Sequence, residues 1–458
     1  MTRRINVWCL GLVVLAIGCE GSPVEPVTQS IDAQLRPLLA RWGAVPIGPA
    51  PTQNPAVVSL GQALMFDKVL SGNRDISCAT CHHPTTHAAD GLSLSIGTGG
   101  TGLGPSRSLG AGRQFIPRNA PSLLDQGLRA NYVFWDGRVS GFGSGPFTTP
   151  AKSALPAGLS NILAAQAMFP VVNRDEMRGN PGDVDVVGNP NELAQFADSQ
   201  YAEVWKALMQ RLLAIPEYVT RFNVAFPDIP TTALGTMGFP LAATAIAAFE
   251  TQALTRTDSP FDRYLNRDDE ALTPQAKRGA LLFFGTKARC SSCHSGALLG
   301  GQSFASTGVP QLGPGTGPAA PLDWGRGGAP TVPSDSFSRF SFRIPPLRNV
   351  ELTAPYMHDG VYPTLEAVVR HYNDVPTALR AYDVTQVAPE LRGSYHGDAA
   401  TINAQLARLD FRLRSSLGLT EDEKNDLVAF LKSLTDPSAR DLGGLAPASV
   451  PSGIPVNE

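Results

Sequence analysis

The sequence predicts a mainly α-helical chain built as two similar domains with long loops. Three observations carry that prediction: helix start signals ahead of apolar runs, two short cysteine motifs in matching contexts, and abundant glycine and proline. Thr273-Pro274 supplies an N-cap followed by a first-turn proline. Thr420-Glu421-Asp422-Glu423 forms a capping box ahead of Leu427, Phe430, Leu431 and Leu434. Pro240–Leu254 reads as an Ala-rich helix with Ile246 and Phe249 at helical spacing, and it marks the join between the halves. Leu60-Gly61 and Met65-Phe66 precede the first cysteine motif as Arg278-Gly279 and Phe283-Phe284 precede the second, the mark of a diverged duplication. The 45 glycines and 39 prolines place long loops between helices, above all at 306–335.

The ends read differently. Arg3 and Arg4 ahead of the apolar run Ile5–Ile17 form an export signal too short to span a membrane. Its end, Leu15-Ala16-Ile17-Gly18-Cys19, resembles a lipobox with a lipidated Cys19, the rival being ordinary cleavage. The expected organisation is a signal at 1–19, a tether at 20–45, a first domain at 46–250 with an insertion at about 141–235, a second domain at 251–440, and a disordered tail at 441–458. The insertion carries a helical stretch near Ala194–Leu213. Export and lipidation place the chain in the periplasm, attached to a membrane by its lipid anchor alone. A net charge of -3 excludes a nucleic-acid partner, because phosphate recognition needs a basic excess.

Of the six cysteines, four remain beyond Cys9 and Cys19, and they fall in two C-x-x-C-H motifs: Cys78-Ala79-Thr80-Cys81-His82 and Cys290-Ser291-Ser292-Cys293-His294. Two thiols at this spacing reach the two vinyl groups of one haem, and the adjacent histidine swings beneath the iron as proximal ligand. A redox dithiol or a zinc site would use the same residues. Two copies in an exported chain, with no other mature cysteine except Cys19, favour two covalently attached haem c groups.

Around these motifs the chain resembles the bacterial dihaem cytochrome c peroxidase/MauG family. The resemblance rests on Leu60–Asp67, Ser95-Ile96-Gly97, Arg118–Leu124, Phe134-Trp135-Asp136-Gly137-Arg138, Ser259–Leu265, Phe342–Asn349 and Ala354–Gly360. It implies two cytochrome c-like domains, a first haem that handles hydrogen peroxide and a second that takes electrons from a small redox protein of cytochrome c or cupredoxin type. It also implies a calcium ion between the domains, held by Asn119 and carbonyls near Ile344–Pro346, a set of hard oxygen donors. A turn-capping role is the alternative for Asn119. A homodimer is left open.

Four features depart from the family pattern. Thr98 stands where resting peroxidases place a sixth ligand on the first haem, so that haem keeps an open face; His83 and His87 are distant substitutes. Tyr372, in Arg370-His371-Tyr372-Asn373, occupies the distal-ligand slot of the second haem, with Met357 as its rival. A phenolate there stabilises oxidised iron. Val133 and Gly143 replace the family's pocket glutamine and acid–base glutamate. Glu176 or Asp175, from the insertion, is the candidate replacement proton carrier, and Arg138 the candidate stabiliser of negative oxygen, against a structural pairing with Asp136. Leu123 or Leu124 stands where the family has an inter-haem tryptophan.

Three functions follow from this reading. The first is a peroxidase. The second is a MauG-like oxidase of a protein or organic substrate, and the third a non-enzymatic dihaem electron carrier.

Overall fold

The computed structural model describes residues 1, 29–128, 131–300, 303–333 and 335–456. The signal, the lipobox and Cys19 lie outside the described residues. Helices carry the architecture. The only strands among the described residues are short antiparallel pairs: Tyr132–Val133 with Val139–Ser140, and Phe304–Ser306 with Ser341–Arg343. Among the described residues no single helix is long and apolar enough to cross a membrane.

Each half is organised around one tight helix crossing. In the first, Pro55–Phe66 lies on Pro240–Leu254. A Cβ on Gly61 would stand 1.9 Å from the carbonyl oxygen of Ala245 and 2.9 Å from the Cβ of Phe249. In the second, Pro274–Phe284 lies on Glu421–Lys432. A Cβ on Gly279 would stand 1.9 Å from the oxygen of Asp426 and 2.9 Å from the Cβ of Phe430. Only glycine lets backbones approach so closely. The two crossings make the same contacts at matching positions, glycine against a carbonyl and the phenylalanine four residues on.

Both predicted N-caps form. Thr273 accepts from Ala276 N, and Thr420 with Glu423 closes the capping box that holds the last long helix. Each crossing seeds its own core. Leu60, Leu64, Phe66, Ile246 and Phe249 centre the first, and Phe261, Phe283, Phe284 and Phe430 the second. The Phe261 and Phe430 rings meet edge-to-face at 5.2 Å, a favoured aromatic geometry.

The insertion joins the first core rather than standing apart. Its helices Tyr201–Leu213 and Pro216–Ala225 bury Leu208, Tyr218 and Phe222. Tyr218 donates to Asp67 at 2.7 Å, and Arg211 donates to the carbonyls of Val69 and Ser71 at 2.7 Å each. Residues Ala194–Gln200, assigned to the helix from sequence, precede it as turns.

The two ends differ from expectation. Most of the segment read as a tether is structured. Ile31–Arg41 is a helix capped by Ser30, with Leu35 and Leu39 buried in the second core. Asp32 pairs with Lys277 at 2.8 Å, and the Trp42 indole donates to Phe284 O. Residues 441–456, expected to be disordered, lie on the first domain. Leu442 and Val450 are buried in its core, and Ser452 donates to Asp67 at 2.6 Å. In both segments a few apolar side chains at irregular spacing find a ready groove, a signal that helical periodicity does not show.

Candidate haem-binding sites

The first motif is a single turn, Cys78–Cys81, whose start is closed by Ser77 and Thr80, with Ser77 N donating to Thr80 Oγ1 at 3.1 Å. His82 follows as its cap, and its Nδ1 lies 3.2 Å from Ala88 O. The second motif repeats the device. Cys290–Ser292 forms a short turn, and Nδ1 of His294 lies 3.0 Å from Leu299 O. A carbonyl only accepts, so Nδ1 carries the proton in each ring and Nε2 carries the lone pair. That is the arrangement by which an outer hydrogen bond orients an iron-ligating histidine. Burial pulls both imidazoles down to about 4, which keeps them neutral at any physiological pH. All four thiols are unpaired, and burial pushes Cys78 and Cys290 up to about 12. Free, protonated thiols next to an oriented neutral imidazole are the donor set that haem c attachment uses.

A deep apolar cavity opens over His294, walled by Phe283, Leu365, Leu427 and Leu431, with Leu124 and Trp135 contributed by the first domain. Tyr372, on the helix Leu365–Asn373, lines this cavity and lies near enough to Cys290 and Cys293 for their charge to affect it. Burial raises its hydroxyl to about 12. Met357 lines the same cavity. His371 is excluded as a ligand, because its Nδ1 meets the Tyr362 hydroxyl and its Nε2 meets Thr307 O, both at 2.9 Å.

At the first site Thr98 is fully engaged: its hydroxyl donates to Asp75 at 2.8 Å and its N–H to Glu176 O at 2.9 Å. Of the substitute histidines, His83 meets Thr85 through Nδ1 at 2.7 Å and His87 meets Ala439 O through Nδ1 at 3.1 Å. Val133 is buried in its strand and Gly143 is exposed, so neither supplies a proton carrier. Glu176 arrives from the insertion. It sits in the π-helical turn Arg174–Arg178, capped by Asn173, and the turn rests on Gly97, where a Cβ would meet Asp175 O at 1.9 Å. Such π-turns concentrate at functional sites. Glu176 is partly buried, and desolvation raises its carboxyl to about 7, with Arg138 and Arg118 opposing the rise. Its charge affects both Cys78 and Cys81, which puts it beside the attachment turn. Asp175 is only partly buried, and its carboxyl is raised less.

Arg138 lies 3.7 Å over the Phe134 ring and pairs with Asp136 at 3.3 Å, so the structural pairing considered from sequence is present. Arg118 is a clamp between domains, bonding Asp323 at 2.6 and 2.9 Å and Asp136 at 2.7 Å. Next to it, Asn119 donates from its amide to Leu92 O at 2.7 Å and from its backbone to His358 O at 2.8 Å. Leu123 and Leu124 do stand between the sites. The N–H of Leu123 shares the Ala88 carbonyl with His82, and Leu124 lines the far cavity.

Comparison with known proteins agrees with this geometry. The family described as di-haem cytochrome c peroxidase matches residues 55–270. The cytochrome c551 peroxidase of Pseudomonas aeruginosa is 32% identical over 85% of this chain and 82% of its own length. The chain belongs to the di-haem cytochrome c peroxidase/MauG family. It is a peroxidase-like haem oxidoreductase. The methylamine utilization protein MauG of Methylorubrum extorquens is 30% identical over 92% of this chain and 91% of its own. A solved MauG-like protein associated with microbial copper homeostasis has a TM-score of 0.58 at 26% identity, covering 88% of this chain and 96% of that one.

One group escaped the sequence reading. Glu250 is the single charge in the otherwise neutral helix Pro240–Leu254, and that isolation was the available signal. It is buried, raised to about 8 by desolvation, and its charge affects Cys78.

Proposed function

We propose that this member of the family reduces hydrogen peroxide at a haem c held by Cys78, Cys81 and His82. Electrons come from a small redox protein through a second haem c held by Cys290, Cys293 and His294. A haem iron on His82 supplies the redox centre at which the O–O bond breaks. The observation that carries the reading is Glu176, a partly buried carboxyl raised to about 7, whose charge is felt by both thiols of the attachment turn. As a carboxylate it takes the proton from one peroxide oxygen. It then returns that proton to the other, which departs as water. Arg138, close enough to oppose the rise of Glu176, steadies the negative charge on the departing oxygen. The engaged Thr98 leaves the face opposite His82 without a protein ligand from that position.

Stopped-flow absorbance with hydrogen peroxide tests this. Glu176→Gln should slow the haem response by about 10²–10⁴-fold and remove a rate step near pH 7. An unchanged rate would sink the assignment.

A second reading, MauG-like oxidation of a protein or organic substrate, is favoured by Tyr372 in the His294 cavity, since a phenolate ligand suits oxidised iron. Steady turnover with a reduced cytochrome c supports the peroxidase. Peroxide consumption without such turnover supports the oxidase. We also propose calcium between the domains, because Asn119 lines the same cavity as Ile344, Pro345 and Pro346. The proposed setting is the periplasm, with a lipid anchor at Cys19.

A further inference from the structure

Four of the nine tyrosines form one unbroken file with a histidine. It begins at Tyr372, inside the His294 cavity. The His371 ring lies 5.4 Å away, centroid to centroid. Tyr362 follows at 5.1 Å, Tyr382 at 5.6 Å and Tyr395 at 5.3 Å. Tyr362 is buried, Tyr382 is half-buried, and Tyr395 is partly exposed. Gly397 leaves room for the outermost ring, since a Cβ there would lie 2.2 Å from it.

The hydrogen bonds give each ring a distinct capacity. Nε2 of His371 faces Thr307 O, which cannot donate, so Nε2 carries the proton and Nδ1 accepts from the Tyr362 hydroxyl at 2.9 Å. Tyr362 can therefore lose an electron while its proton moves to Nδ1, and both return together. Tyr382 donates to Val361 O at 2.8 Å, an acceptor that cannot keep a proton. It is a bridge between rings and not a resting place. Tyr395 can release its proton to water.

We propose that Tyr372, His371, Tyr362, Tyr382 and Tyr395 conduct oxidising equivalents from the second haem site to the surface, where Tyr395 oxidises a phenolic donor. This rests on the peroxide reaction proposed above. One electron moves inward from Tyr395 through Tyr362 to the oxidised second site, and the Tyr395 proton leaves to solvent. An external phenol then gives Tyr395 an electron and a proton. Overall, one hydrogen peroxide and two phenols yield two waters and two phenoxyl radicals.

The test uses the haem-loaded full chain, hydrogen peroxide and a nitroso spin trap. Haem absorbance is followed alongside peptide mass spectrometry. A trap adduct on Tyr395 is expected in the wild type and should be lost in Tyr362→Phe, which keeps the ring but not the hydroxyl, while the haem absorbance still responds. Tyr395→Phe, at the surface, should lengthen the life of the peroxide-induced absorbance. The conduit alone is overturned if absorbance responds but Tyr395 is unlabelled, or if labelling survives Tyr362→Phe. An absorbance that does not respond to peroxide overturns the peroxide reading and the conduit with it.

Discussion

The two helix crossings are nearly the same object, and they differ at the residue that follows the shared phenylalanine. Phe249 and Phe430 occupy matching places against Gly61 and Gly279. After Phe430 comes Leu431, which walls the His294 cavity; after Phe249 comes Glu250. The crossings share one scaffold, and only the first has an ionisable wall. A buried carboxyl without a paired cation costs several kcal/mol to ionise, so Glu250 stays protonated at neutral pH. The half that also receives Glu176 thus holds two raised carboxyls, whereas the described lining of the His294 cavity holds no carboxyl and its polar groups include Tyr372, Asn119, Arg343 and Arg412. The raised carboxyls Glu176 and Glu250 lie in the first domain, whereas the second places a hydrogen-bonded Tyr362–His371 pair beside Tyr372.

The largest expected effect tests what the halves share. Replacing Cys78 and Cys81 by serine should remove one haem mass, and replacing Cys290 and Cys293 should remove the other, each read by intact mass after maturation. If either pair can be replaced without losing a haem, the repeat is structural only. The next effect tests what they do not share. The folded-state pKa of Glu250 is raised, so its contribution is fully present below the unfolded value near 4.5 and is lost as pH rises toward about 8. The slope is about 1.4 kcal/mol per pH unit in that window. Glu250→Gln should flatten this part of the unfolding profile, and Leu431→Glu should create a similar slope in the second half.

Smaller again is the cost of crowding the crossings. Gly61→Ala and Gly279→Ala should each destabilise by about 1–3 kcal/mol in thermal unfolding, because the new methyl meets a backbone carbonyl. Unequal costs would show that the crossings have diverged in packing as well as in chemistry. The smallest effect on stability is that of Tyr372→Phe, about 1 kcal/mol for one hydroxyl. Its weight is spectroscopic: the absorbance of the second haem should change, and an unchanged spectrum would hand the ligand role to Met357.

The C-x-x-C-H turns and the helix caps at Thr273 and Thr420 were legible because they depend on neighbours within a few residues of sequence. The Glu176 position was only a candidate, since its approach to Cys78 runs through the π-turn seated on Gly97, a contact between segments far apart in the chain. The Arg118–Asp323 clamp and the tyrosine file were invisible for the same reason: each joins residues whose order in sequence says nothing of their distance. The ends were misread because a short segment of mixed polarity resembles a linker until the surface that receives it is known.

Those ends carry a consequence of their own. The opening helix is seated on the far half, and the closing residues are tucked under the near one. Severing the link at 255–259 would therefore release no self-sufficient cytochrome. Each fragment would lack a segment supplied by the other and would expose the groove it left. Fragment complementation should succeed where separate expression fails.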